Sequence, residues 1–275
     1  MKTIRVLCIG DVVGATGRAM FQKHIDRVRQ AHSIDAIIVN GENSAGGRGI
    51  TSRIVKFFRH NGADVVTTGN HIWAKKEVYK YLDEHSDLLR PANYPSGCPG
   101  KGVTTFPCGP YVIGVINIQG RVFMKDDIDC PFRSAESTLS YLRTKTPIII
   151  VDFHAEASSE KIAMGHFLDG KVSAVVGTHT HVQTADERVL PGGTAFMTDL
   201  GMTGTLNGML GMQKDAIMQN FLTQMPVKFK VSAESPVIMT GCWIEIDPTN
   251  GRAVKIERVK VVDGELSVSE EEDDR

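Results

Sequence analysis

The chain has 275 residues, 41% of them hydrophobic and 23% charged, enough apolar material for a sizeable core in one or two α/β domains. A formal net charge of −1 excludes a protein built chiefly to neutralise nucleic-acid phosphates, and no run approaches the ~18 apolar residues of a membrane span. Cys8, Cys98, Cys108, Cys130 and Cys242 are scattered without a CxxC pair, and Met1–Gly10 carries no apolar leader; both point to a reduced, cytoplasmic protein.

Short β-branched runs alternate with amphipathic stretches, the pattern of α/β layers. Ile4–Ile9 reads as a strand, Phe21–Ala31 as a helix, Ala36–Val39 as a strand and Ser52–Asn61 as a helix capped by Thr51 or Ser52. Val65–Thr68 reads as a strand and Lys75–His85 as a helix. Beyond Pro91 the texture becomes loop-rich, and Val103–Phe106 with Tyr111–Ile118 resemble a hairpin pair. A helix over Ala135–Thr144, a strand over Ile148–Asp152, a helix over Glu160–Leu168 and a strand over Val172–Val176 follow. Thr194–Met197, Val237–Ile246 and Val254–Val262 close the pattern as strands. The acidic run Glu270–Asp274 has nothing to bury. The expected organisation is therefore one domain over 1–265 and a disordered tail over 266–275.

The informative residues stand just after the strands: Asp11 after the first, Glu42-Asn43 after the second, and Asn70-His71 after the third. Later strands run into His154 and into His179-Thr180-His181. In open α/β sheets ligands bind at the carboxyl ends of strands, so these side chains are expected around one crevice. Asp11, Glu42, Asn43, Asn70, His154, His179 and His181 offer oxygen and imidazole nitrogen and no thiolate, a donor set for manganese, iron or zinc in a catalytic site. They are too many for one four-coordinate ion and suit a pair sharing a carboxylate. Two dications against two carboxylates leave a positive excess that attracts an anion such as a phosphate ester. Paired ions about 3.5–4 Å apart lower the pKa of a shared water and clamp phosphoryl oxygens during in-line displacement.

The stretches Gly10-Asp11, Asn40-Gly41-Glu42-Asn43, Gly69-Asn70-His71, Asp152-Phe153-His154 and Gly177-Thr178-His179-Thr180-His181 together resemble the calcineurin-like metallophosphoesterases. The wording is closest to their YmdB-like bacterial branch, which Met197-Thr198-Asp199-Leu200-Gly201-Met202-Thr203-Gly204 also fits, and the resemblance spans residues 4 to 262. It implies a four-layer αββα sandwich with a dinuclear site at its edge. It further implies one ion on Asp11, Glu42, Asn43 and His181, and the other on Glu42, Asn70, His154 and His179, with Glu42 bridging. His71 is implied as proton donor to the leaving alkoxide. The implied activity is hydrolysis of phosphodiesters, 2′,3′-cyclic and 3′,5′-cyclic nucleotides among them, and the resemblance suggests a homo-oligomer. The chain departs from the wider superfamily at Val13 and Glu42, and at Ile72, which leaves His71 without the acidic neighbour usual at that place.

Ordinary readings account for other polar residues. His24, His32, His60 and His85 lie on or beside charged helices and read as surface positions, and His166 as structural. Gly10, Gly14 and Gly17 do not have dinucleotide-loop spacing. Glu156 and Asp199 are candidates for orienting ligand imidazoles, Arg90 and Arg121 for meeting a phosphate. The segments Asn93–Gly102 and Met202–Met212 are expected to shape the substrate pocket, and the Met-rich stretch Met197–Met225 to be packing.

Overall fold

A computed structural model describes residues 3–266. In chain order its elements are β1 (Ile4–Ile9), β2 (Asp11–Val12), α1 (Gly14–His32), β3 (Ala36–Asn40), α2 (Ser52–His60), β4 (Val65–Thr67) and, after a 3-10 turn at Ile72–Ala74, α3 (Val78–Glu84). Next come β5 (Val103–Cys108), β6 (Tyr111–Gln119), α4 (Pro131–Leu142), β7 (Ile148–His154), α5 (Ser158–Leu168), β8 (Ala174–Thr178), β9 (Arg188–Val189) and β10 (Ala195–Met197). β11 (Met202–Thr205), α6 (Lys214–Thr223), β12 (Val237–Ile246) and β13 (Ala253–Asp263) complete the described chain. The acidic run Glu270–Asp274 lies outside the described residues.

The strands form a seven-stranded and a six-stranded sheet. In the first, β1, β3 and β4 run parallel, and the long β12 carries β1 and β11 along one edge and β13 along the other. In the second, β6, β7, β8 and β10 run parallel, with β5 and β9 antiparallel at the edges.

The two-residue period of a strand explains the layering. On β1, Val6 and Cys8 face the other sheet, where they meet Ile113, Val115, Ile148 and Ile150, while Leu7 and Ile9 face α1 and α2 through Phe21, Ile25 and Phe58. On β7 the same alternation sends Ile149, Val151 and Phe153 to α4 and α5. The result is helices, sheet, sheet, helices: the expected αββα sandwich. The alternation also has a chemical consequence, because Asp152 and His154 share the inward face with Ile148 and Ile150.

The helix boundaries differ from expectation for identifiable reasons. α1 starts at Gly14 instead of Phe21, because its first turn is built from small residues pressed on β11: a Cβ at Gly17 would lie 2.3 Å from the Thr203 carbonyl oxygen. α4 starts at Pro131, whose fixed φ suits a first helical position. Thr51 is the cap of α2, its Oγ1 accepting from the Ile54 amide at 3.3 Å. The region expected as a helix over Lys75–His85 is shortened to α3 and preceded by the 3-10 turn. Of the histidines set aside as surface residues, His24 is half-buried with Nε2 2.7 Å from Asp263, and His85 stacks on Tyr81 at 3.9 Å.

Candidate functional site

The carboxyl ends of β1, β3 and β4 from one sheet and of β7 and β8 from the other meet at one end of the seam between them. All seven expected donors, and His71, converge there. Glu42 Oε1 lies 3.1 Å from His154 Nε2, which lies 3.0 Å from Asn70 Oδ1 and 3.0 Å from His179 Nδ1. On the other side of Glu42, Asn43 Nδ2 is 3.0 Å from His181 Nε2, and that nitrogen is 3.7 Å from Asp11 Oδ1. Asp11, Glu42, Asn43 and His154 are buried, whereas His71, His179 and His181 border an open cavity.

Backbone amides set the two carboxylates: His71 N–H donates to Glu42 Oε2 at 3.1 Å, and His179 N–H to Asp11 Oδ2 at 3.0 Å. Each bond ties one sheet end to another loop of the site. Close approach needs glycine at one point in particular, since a Cβ on Gly69 would fall 2.1 Å from Cδ2 of His154. His179 and His181 have φ of 103° and 64°, a left-handed backbone that non-glycine residues adopt only when their surroundings over-determine it. The constraint is visible beneath them. Asp199 Oδ2 accepts from Thr180 N–H at 3.1 Å and Thr180 Oγ1 at 2.8 Å, and is itself clamped by Lys161 Nζ at 2.6 Å, with both charged residues buried. Asp199 therefore orients the loop between the two histidines and does not touch an imidazole. Glu156 does, with Oε2 3.1 Å from His179 Nε2.

A relay unforeseen from the sequence stands behind His154. Its Nδ1 is 2.9 Å from Thr178 Oγ1, which donates to Asp152 Oδ1 at 2.7 Å; Asp152 also accepts from Asn40 and Thr67 across the seam. With the hydroxyl donating to Asp152, it accepts from His154 Nδ1–H, so the Nε2 lone pair faces Glu42 and Asn70. The inward alternation of Asp152 and His154 on β7 was the signal in the sequence.

The electrostatics suit cations. Burial raises the pKa of Asp11, and the neighbouring Glu42 carboxylate adds to it. Burial lowers His154 to about 4 and His179 to about 3, keeping both imidazoles neutral and able to coordinate. Among the described residues, the ion-pair partners of Asp11 and Glu42 are histidines, with no lysine or arginine beside them. Ligand atoms of Glu42, His154 and His179 all lie within 4.8 Å of one another. Two buried carboxylates facing neutral imidazoles and amides, with no thiolate, make a donor set that fits hard or borderline divalent metals. Asn43 turns its nitrogen toward these donors and its oxygen to His71 Nδ1 at 2.8 Å. It thus supplies the partner to His71 that Ile72 does not, and would coordinate only after a half-turn of its amide.

Above the donors opens a cavity of about 550 Å3. Glu42, Asn43, His71, His179 and His181 form its floor, and Met209, Leu210, Met212, Ile217, Phe221 and Phe229 its wall. The Met202–Met212 segment does shape it, together with α6, which falls within the Met-rich stretch expected to be packing. Asn93–Gly102 contributes none of its lining; Tyr94 instead packs edge-on against Trp73 at 5.3 Å. Arg90 is buried on the carbonyls of Pro91 and Pro99, and Arg121 lies at a separate surface hollow beside Glu160.

The model of a family described as YmdB-like protein matches residues 7–259. The chain belongs to the YmdB-like family. A relative from Bacillus subtilis (strain 168) named 2′,3′-cyclic-nucleotide 2′-phosphodiesterase is 46% identical over 263 residues, covering 96% of this chain and 99% of that one. A solved structure from Thermus thermophilus superposes with a TM-score of 0.88 at 39% identity, covering 94% of this chain and 100% of that one. A phosphatase structure from Mycoplasma pneumoniae gives 0.90 at 30% identity, with coverage of 96% and 95%.

Proposed function

We propose that this protein is a metal-dependent phosphodiesterase that hydrolyses cyclic nucleotides, 2′,3′-cyclic nucleotides first and 3′,5′-cyclic nucleotides as a second class. The observation that carries the reading is the convergence of buried carboxylates, amides and neutral imidazoles from two sheets on the floor of one cavity. The 46% identity to the B. subtilis 2′,3′-cyclic-nucleotide 2′-phosphodiesterase supports the substrate class. Asp11, Glu42, Asn43 and His181 would hold one ion, and Glu42, Asn70, His154 and His179 the other, with manganese or iron the best match to the donors and zinc also suited. When bound, the two ions supply Lewis acidity, lowering the pKa of a water and offsetting the charge on the phosphoryl oxygens.

The chain's own residues do the rest. Asp11 and Glu42 are held by the amides of His179 and His71, so their oxygens do not have to reorganise as charge builds on the phosphate. Without metal, Asn43 Oδ1 faces His71 Nδ1 at 2.8 Å; coordination by Asn43 would give up that contact and leave the ring held by its own loop, with Nε2 to hand its proton to the departing ribose oxygen. Burial lowers the pKa of His71 while the Glu42 carboxylate raises it. A bound phosphodiester adds a second negative neighbour and favours the imidazolium that the step requires. As the water oxygen bonds to phosphorus, one P–O ester bond breaks and its oxygen leaves protonated.

The test is elemental analysis of the purified protein together with chromatography of 2′,3′-cyclic and 3′,5′-cyclic AMP incubations. We expect two transition-metal equivalents, nucleoside monophosphate as product, and loss of turnover in chelator. Metal-loaded protein that leaves every cyclic nucleotide intact would overturn the reading. Because the M. pneumoniae neighbour is described as a phosphatase, bis- and mono-(p-nitrophenyl) phosphate run in parallel separate diester from monoester hydrolysis.

A further inference from the structure

The cavity has two chemically opposite halves. Its floor carries the polar donors, while the wall formed by the segment before α6, α6 itself and Phe229 is apolar throughout. Among the described lining residues there is no lysine or arginine, and no side-chain hydroxyl or amide outside the floor. Part of the wall's backbone is committed as well. Met209 and Met212 exchange N–H···O bonds of 2.9 and 3.0 Å, Gly211 O accepts from Ser232 N–H at 2.9 Å, and Leu210 O faces His181 Nδ1 at 3.1 Å. Yet Phe221 and Phe229 are 65% and 51% exposed, and Leu210 49%, so apolar surface stands in water directly beside a charged floor. A ligand spanning both halves would take that surface out of water while its charged end met the floor.

We infer that this wall is a nucleobase subsite: a flat aromatic ring, one ribose away from the phosphate, is gripped by dispersion and ring contact with Phe221, Phe229 and Leu210. This rests on the phosphodiesterase reading and adds how the rest of the substrate is recognised. The volume of about 550 Å3 falls within the range of small-molecule sites. Every base has a π-face, so aromatic contact holds all four. Rejecting one base in favour of another requires unused donors or acceptors aimed at its edge, and no side chain of the wall carries a hydroxyl, amide or charge. The subsite therefore distinguishes nucleotides from baseless sugar phosphates, and hardly distinguishes adenine, guanine, cytosine and uracil.

The experiment measures kcat/KM of the metal-loaded full chain on the 2′,3′-cyclic phosphates of adenosine, guanosine, cytidine and uridine, and on ribose 2′,3′-cyclic phosphate, which has no base. We expect the base to raise kcat/KM at least about tenfold, with the four nucleosides within about fivefold of one another. Phe221→Ala and Phe229→Ala should each lower the nucleoside-to-ribose ratio at least about threefold, mainly through KM. Both side chains are largely exposed, so neither replacement puts folding at stake, and a thermal melt checks that. Equal rates with and without a base overturn the inference, as does a preference above about 50-fold for one base. An unchanged ratio in Phe221→Ala with a change in sedimentation also overturns it, assigning the wall to a second copy of the chain. If no cyclic phosphate is hydrolysed, the phosphodiesterase reading fails separately. The subsite is then judged by titration calorimetry with adenosine 5′-monophosphate against ribose 5-phosphate, and equal affinities overturn it.

Discussion

The seven-stranded sheet brings acids and amides to the cleft (Asp11, Glu42, Asn43 and Asn70), whereas the six-stranded sheet brings imidazoles (His154, His179 and His181). Burial acts on the two sets in opposite senses. It raises the pKa of Asp11 toward protonation and lowers His154 to about 4 and His179 to about 3, toward neutrality. Each half left to itself therefore sheds charge, and a bound cation would restore the ionised form of the Asp11 carboxylate while meeting imidazoles that burial already keeps neutral. The site belongs to the seam, and its assembly depends on how firmly the sheets are joined. The join is an apolar inter-sheet core plus a few polar ties at the cleft end, such as Asn117 Oδ1 accepting from Thr68 N–H at 2.9 Å.

The sharpest way to break the comparison is to weaken one half while leaving the other intact. Glu42→Gln keeps the shape and removes the shared charge. We expect metal content to fall and turnover to drop by more than the roughly 100-fold typical of losing an outer partner of a metal ligand, read by elemental analysis and steady-state kinetics. An enzyme that kept two metal equivalents would show that Glu42 is not shared. His71→Ala, by contrast, should leave metal content unchanged and cost about 10²–10⁴-fold on a diester with a poor leaving group. With p-nitrophenolate departing, the loss should shrink, because that oxygen needs no proton.

On the imidazole side, Asp199→Ala strands the buried Lys161 ammonium and should cost about 3–5 kcal/mol in urea unfolding. Replacing both partners by leucine and methionine should recover most of that loss. A small effect from the single variant would show that the His-x-His loop holds its left-handed backbone without the strap.

The seam itself is tested by pH. Burial pushes the Asp152 carboxyl up to about 7, so the folded metal-free protein binds a proton there that the unfolded chain has released. Between about pH 4 and pH 7 this residue makes stability fall as pH rises. Asp152→Asn removes that dependence, so in chelator the variant should gain on the wild type steadily across the window. A constant difference would mean that Asp152 is ionised in the fold. The smallest effect is expected far from the cleft: Thr51→Ala should lower stability by about 1 kcal/mol with metal content untouched.

Much of this arrangement was legible because the strands are runs of Ile and Val whose ends carry the donors, and a period of two leaves little freedom in which residues face inward. Five strands of the six-stranded sheet were read to within two residues at each end for that reason, while the two-residue β9 was missed. What escaped notice was decided by contacts distant in sequence. β2 is only two residues long and exists because Asp11 and Val12 pair with Met202 and Thr203. α6 hid because its apolar residues are not gathered on a buried stripe; Ile217 is buried, but Met218, Phe221 and Leu222 stay exposed. The roles of Thr178 and Asn43 around the histidines depend on side chains meeting from separate strands, which spacing alone does not reveal.

Gly69 shows how little tolerance such a seam leaves. An alanine there would set its methyl carbon 2.1 Å from the His154 ring, so even the smallest side chain forces either the backbone at position 69 or the imidazole to shift. The nitrogen half of the centre is thus moulded by a single missing carbon on the opposite sheet. Any other residue at position 69 would have to displace this backbone or the imidazole before the donors could meet as they do here.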